Sequence, residues 1–136
     1  MGLGLARFID DLSRVPRDKA LAEAQLPCAT RYLTVDGVRG WLYPISTELG
    51  DAFQLFLYFD GAAYQVRVVE PAVEGRFDPH ASHVLPDGRL CLSESWAGGA
   101  STLEAAYARS VVWCNGFSRY LRGESFPLDP APPRGT

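Results

Sequence analysis

The sequence predicts an α+β domain: a helix, a four-stranded antiparallel meander, a long irregular segment and a second helix. Three observations predict it. Apolar residues recur at helical intervals near both ends of the chain. Four β-rich runs joined by short turns occupy residues 31–69. From Glu70 to Gly99 the periodicity stops. A length of 136 residues fits one domain, placed at residues 1–126, followed by a proline-rich tail at 127–136.

Leu5, Phe8, Ile9 and Leu12 are spaced as one helical face. Pro16 interrupts, and the Ala-, Leu- and Glu-rich run Arg17 to Gln25 resumes as a good helix former. One helix broken at Pro16, or two short ones, is expected to end before Pro27. Arg31 to Val35 (RYLTV) reads as the first strand, and Asp36-Gly37 is the strongest short hairpin signal in the chain. Val38 to Ile45 follows, then a turn containing Gly50. Ala52 to Phe59 (AFQLFLYF) is almost wholly apolar, as a central strand covered on both faces would be. Asp60-Gly61 is a second turn, and Tyr64 to Val69 alternates like a strand with one wet face. Ser101-Thr102-Leu103-Glu104 fits the S-x-x-E capping box and announces the last helix. Leu103, Tyr107, Ser110, Val111, Cys114, Phe117 and Leu121 give its apolar stripe, and Gly123 stands at its C-cap.

Composition narrows the functional classes. Hydrophobic residues make up 47% and charged residues 21%, which excludes disorder and supplies a core. No apolar run approaches the ~18 residues of a membrane span. The N-terminus carries early acidic residues and no cleavage site, so no secretory signal is expected. A net charge of −3 disfavours nucleic acid as a partner. Three cysteines, Cys28, Cys91 and Cys114, are an odd number and predict free thiols in a reducing cytoplasm. Lys19 is the one lysine among 13 basic residues. Arg- and Ala-rich genomic composition is the plain cause; avoidance of lysine near chemistry that attacks amines is the sharper one.

The stretch HASHVLPDGRLCLSESW, His80 to Trp96, is where chemistry is expected. An irregular segment this long inside a small domain is usually functional or disordered, and its apolar residues Val84, Leu85, Leu90, Leu92 and Trp96 argue for an ordered one. Cys91 sits three residues after Gly88 and eight after His83, a polar setting for a nucleophilic thiol. The competing reading is a cysteine packed between Leu90 and Leu92. His80, His83 and Cys91 in H-x2-H-x7-C spacing match no standard zinc finger, so no metal and no cofactor are expected. Cys91 with either histidine would form a hydrolytic dyad, but nothing marks a third orienting group. Cys114 falls on the apolar stripe and reads as core, as do Trp41 and Trp113. Cys28 is uninformative.

PDGRLCLSESW, with a histidine upstream and a helix downstream, resembles the active-site segment of ubiquitin-conjugating enzymes. Gly88, Leu90, Cys91 and Leu92 match that family's pattern position by position, and Trp96 matches in kind but arrives early. The element order agrees from Ala6 to Gly123, and Tyr64 falls where the family has Tyr-Pro. The specific part is the string itself. Counted back from Cys91, the family's His-Pro-Asn falls on Ala81, Ser82 and His83. The family's proline-rich docking stretch after the third strand and its two further C-terminal helices are not expected here. This reduced pattern looks most like the bacterial ubiquitin-conjugating-like proteins of anti-phage operons.

The resemblance implies a UBC-like fold and a transfer reaction. An activating enzyme would hand the C-terminal carboxyl of a ubiquitin-like modifier to Cys91 as a thioester. An amine on a target protein, a phage protein or a nucleotidyltransferase, would then take it. His83 would donate to the oxyanion or orient the loop. Asp87 would orient the incoming amine, or serve only as the Asp of a Pro-Asp-Gly turn. The first helix, with Arg7, Arg14, Arg17 and Lys19, would dock the activating enzyme by family analogy. The competing classes are a non-catalytic binding module on the same fold and a cysteine hydrolase.

Overall fold

Local turn chemistry sets the sheet. The computed structural model describes residues 2–73, 77–78, 82–92, 99–124 and 126. Strands β1 (Arg31–Val35), β2 (Val38–Ser46), β3 (Ala52–Phe59) and β4 (Tyr64–Glu70) pair in the order β1-β2-β3-β4, all antiparallel. Val35 pairs with Val38 across Asp36 and Gly37, which both hold positive φ (50° and 80°). That geometry matches the twist of the flanking strands and explains the Asp-Gly pair. At the β3–β4 turn the Asp60 carboxylate accepts the Ala62 and Ala63 amides, each at 2.8 Å. Gly40 lies where β2 and β3 crowd: a Cβ there would stand 2.4 Å from the Leu57 carbonyl.

Two helices flank this sheet: α1 (Gly2–Gln25) and α2 (Leu103–Leu121). Helix α2 packs against β2, β3 and β4 and also touches α1. Phe53, Leu55, Leu57, Val66 and Val68 meet Leu103, Ala106, Trp113 and Phe117 in one core. The Tyr43 hydroxyl lies 2.7 Å from the Ser110 hydroxyl, which itself donates to the Tyr107 carbonyl at 2.6 Å. Tyr43 is therefore the donor to Ser110, and complete burial pushes its phenol far above the ordinary range.

Three expectations about the helices need correction. Helix α1 runs unbroken through Pro16. An interior proline costs about 3 kcal/mol. Strong helix formers on its C-terminal side and the burial of Ala22 and Leu26 offset that cost. The N-cap of α2 is Thr102, not Ser101: its hydroxyl accepts the Ala105 amide at 3.1 Å. Leu103, 1% exposed, is pinned in the core as the first helical residue, so Glu104 falls in the first turn, where its charge suits the helix dipole. The buried face of α2 includes Ala106, Trp113, Gly116 and Ser118, whereas Leu121 is 47% exposed. Gly123 follows the C-cap Arg122 at φ 90°; the Gly123 and Glu124 amides donate to Tyr120 and Arg119, closing the helix as a Schellman motif.

Candidate active site

The edge of β4 carries the site. Val68 donates to the Gly88 carbonyl at 3.2 Å, and Leu90 donates to the Val66 carbonyl at 2.8 Å. Farther along, Tyr64 and Ala100 exchange two hydrogen bonds of 2.8 Å. The segment predicted to be irregular thus adds short strand-like stretches to β4 and covers part of an otherwise open edge. Cys91 begins the stretch between these two anchors.

Residues 84–90 fold back on themselves. Val84 bridges Leu90, Leu85 donates to the Arg89 carbonyl at 2.7 Å, and Gly88 donates to the Leu85 carbonyl at 2.9 Å. Pro86 and Asp87 take the two corners, and Gly88 holds φ 90°, a conformation that favours glycine. The Asp87 carboxylate accepts the Arg89 amide at 3.1 Å and pairs with the Arg89 guanidinium at 2.7 Å. Its observed partners are those of a turn-forming aspartate.

Cys91 is partly exposed, while Leu90 and Leu92 are 0% and 4% exposed. The alternation places both leucines in the core and leaves the cysteine between them reachable from solvent. The Cys91 amide donates to the His83 carbonyl at 3.0 Å. His83, also partly exposed, holds φ 58°, the left-handed region. Its ring meets Phe126 with centroids 4.8 Å apart. The structure therefore joins His83 to Cys91 through the backbone. His80, Trp96 and the rest of 93–98 lie outside the described residues, as does the tail 127–136. Among the described residues, no three His, Cys, Asp or Glu side chains gather as a metal site. No described helix is long and apolar enough to cross a membrane.

Helix α2 holds this segment through residues the sequence reading did not single out for it. The Arg109 guanidinium donates to the Leu92 carbonyl, next to Cys91. The Trp113 indole donates to the Ser82 carbonyl at 3.0 Å, next to His83. Gly116 and Tyr120 meet Phe126, which meets His83. Residues 109, 113, 116 and 120 recur at steps of four, three and four, which places them along one stripe. That spacing was available in the sequence, but a polar residue and a glycine hid it from a search for apolar positions.

The three thiols differ in access. Cys28 is exposed, Cys91 is partly exposed and Cys114 is buried, where desolvation pushes its thiol up to about 12. A thiol reagent at pH 8 is expected to label Cys28 and Cys91 in the native protein, and Cys114 only in denaturant. Mass spectrometry of the labelled peptides checks this, and a Cys91 that stays unlabelled until unfolding would deny it any nucleophilic role.

Fold and site together define an α+β domain that presents a partly exposed cysteine beside a turn-anchored sheet edge. Comparison with known proteins finds no significant match to a family model, a curated protein or a solved structure.

Proposed function

We propose that the chain is a UBC-like acyl-transfer enzyme of the ubiquitin-conjugating type. The observation that carries this reading is Cys91, partly exposed between two buried leucines on a segment hydrogen-bonded to His83 and to the β4 edge. Such a sulfur can reach a large partner while its backbone stays fixed. The resemblance of PDGRLCLSESW to the ubiquitin-conjugating active-site segment supports the same chemistry.

The Cys91 sulfur attacks the thioester carbonyl that an activating enzyme carries. A new C–S bond forms, the old one breaks, and the activating enzyme's thiolate leaves. Exchange between two thioesters is nearly isoenergetic, so positioning supplies most of the rate. An amine of a target protein then attacks the same carbonyl, Cys91 leaves as thiolate, and the amine gives its proton to solvent. Charge grows on the carbonyl oxygen in that step, and His83 is the proposed donor to it. Asp87 shapes the turn; a role toward the amine would require its pair with Arg89 to open. By the same resemblance, the modifier is a ubiquitin-like protein and the setting is antiviral defence in the bacterial cytoplasm. The target is a phage protein or a nucleotidyltransferase.

Mixing the protein with a matched activating enzyme, its modifier and ATP is expected to yield an adduct that reductant cleaves. Cys91→Ala should abolish it, and Cys91→Ser should give an ester that resists reductant and yields to alkali. An adduct that survives in Cys91→Ala would overturn the assignment. Failure to form any adduct would favour a non-catalytic binding module, and release of free modifier from model thioesters without transfer to amines would favour a hydrolase.

A further inference from the structure

Phe126 is only 2% exposed, although it lies beyond the last helix. Its ring sits in a notch on α2 that exists because residue 116 is glycine. A Cβ at Gly116 would stand 2.8, 3.0 and 3.4 Å from three atoms of that ring. Trp113 and Tyr120 flank it, with centroids 6.3 and 6.4 Å away. The same ring meets His83 at 4.8 Å with the planes 39° apart.

His83 gives that contact its consequence. Its φ of 58° lies in the left-handed region, uncommon for residues with a β-carbon, although histidine, asparagine and aspartate enter it more readily than most. Its carbonyl accepts the Cys91 amide. The preceding carbonyl, of Ser82, is held by Trp113 from the same helix that seats Phe126. Three contacts therefore converge on one left-handed residue: the indole before it, the Phe126 ring on its side chain and the Cys91 amide on its carbonyl.

We propose that Phe126 is a positioning residue of the transfer reaction, a clasp that holds His83, and through it Cys91, in the geometry the discharge step needs. The inference rests on the transferase reading for its kinetic half and on geometry for its structural half. Both steps place charge on the carbonyl oxygen, but charging exchanges one thiolate for another, whereas discharge brings in a neutral amine and leans more on a donor in register with the developing oxyanion. Loss of the clasp should therefore separate the two steps.

The test uses Phe126→Leu, which keeps apolar bulk and removes the flat ring, and Gly116→Ala, which displaces the ring from the helix side. Each is made with and without His83→Asn. In the free protein, NMR should show the His83 imidazole protons losing the ring-current shift from Phe126 in both variants. The Cys91 amide should exchange faster in both. In single-turnover assays, discharge to an amine should slow about ten- to a hundredfold while charging changes by less than about twofold. Within the His83→Asn background, Phe126→Leu should have no further effect on discharge. Equal slowing in both backgrounds, or unchanged His83 signals, would overturn the proposal. A wild-type protein that never charges sinks the transferase reading and the kinetic half with it, while the NMR result separately decides the clasp.

Discussion

Replacing Trp113 with alanine is expected to cost about 3–5 kcal/mol of folding free energy, the usual range for deleting a buried aromatic ring. Small domains hold about 5–15 kcal/mol in all, so this loss would bring the protein close to unfolding at room temperature. The reasons are local. Trp113 is 1% exposed, stacks on Phe117 at 4.6 Å, meets Phe53 edge-on at 5.7 Å and flanks Phe126. Alanine would leave a cavity between α2 and β3, and both elements are too heavily packed to collapse into it. The indole N–H is a second, separable contribution. Trp113→Phe keeps much of the ring area but strands the buried Ser82 carbonyl, which should cost about 1–3 kcal/mol. Urea denaturation checks both values. The phenylalanine variant should also change the alkylation rate of Cys91, because Ser82 precedes the residue that holds the Cys91 amide. A Trp113→Phe protein with unaltered stability and unaltered Cys91 reactivity would show that the indole bond positions nothing.

The meander was legible because its determinants are local. Asp36-Gly37 and Asp60-Gly61 carry their turn geometry in adjacent residues, and β-rich runs lie on either side. The exposure of Cys91 was not legible: its segment allowed both a nucleophile and a thiol packed between Leu90 and Leu92, and the fold leaves it partly exposed. What the sequence concealed is non-local. Nothing near Leu90 announces that its amide will pair with Val66, and nothing near Phe126 announces the notch at Gly116. Helix α2 concealed most, because it serves two surfaces. One face fills the core with Leu103, Ala106, Cys114 and Phe117. A neighbouring stripe of Arg109, Trp113, Gly116 and Tyr120 fastens the site. A single apolar stripe cannot describe such a helix: Leu121, on the expected stripe, is half-exposed, and Trp113, expected in the core and buried there, lies off that stripe.

Asp18→Ala is expected to cost about 3 kcal/mol, at the low end for breaking a buried charged network. Asp18 is 1% exposed on the inner side of α1 and accepts the Tyr64 hydroxyl of β4 at 2.5 Å. Arg14 and Arg17 of its own helix approach it at 3.4 and 3.5 Å. Burial, then the adjoining carboxylate, raises the Tyr64 phenol above its ordinary value, so the phenol stays protonated and remains the donor. The arginines differ in exposure, 13% for Arg14 and 64% for Arg17, so Arg17 can turn to water when Asp18 is lost, which moderates the penalty. Tyr64→Phe removes the hydroxyl alone and should cost about 1–3 kcal/mol. Asp18→Leu combined with Tyr64→Phe should recover most of either loss, because a well-packed apolar pair replaces two groups that need each other. Urea titrations of the wild type, Asp18→Leu, Tyr64→Phe and their double variant give the coupling directly, and additive losses in the double variant would mean that the two side chains act independently. The pair ties α1 to β4, and on the proposed transferase reading α1 would dock the activating enzyme. If Cys91 carries the proposed thioester, loosening that tie should slow its charging more than its discharge, the reverse of the pattern expected for Phe126→Leu. Measured together, the two variants separate a defect in partner docking from a defect in the chemistry at Cys91.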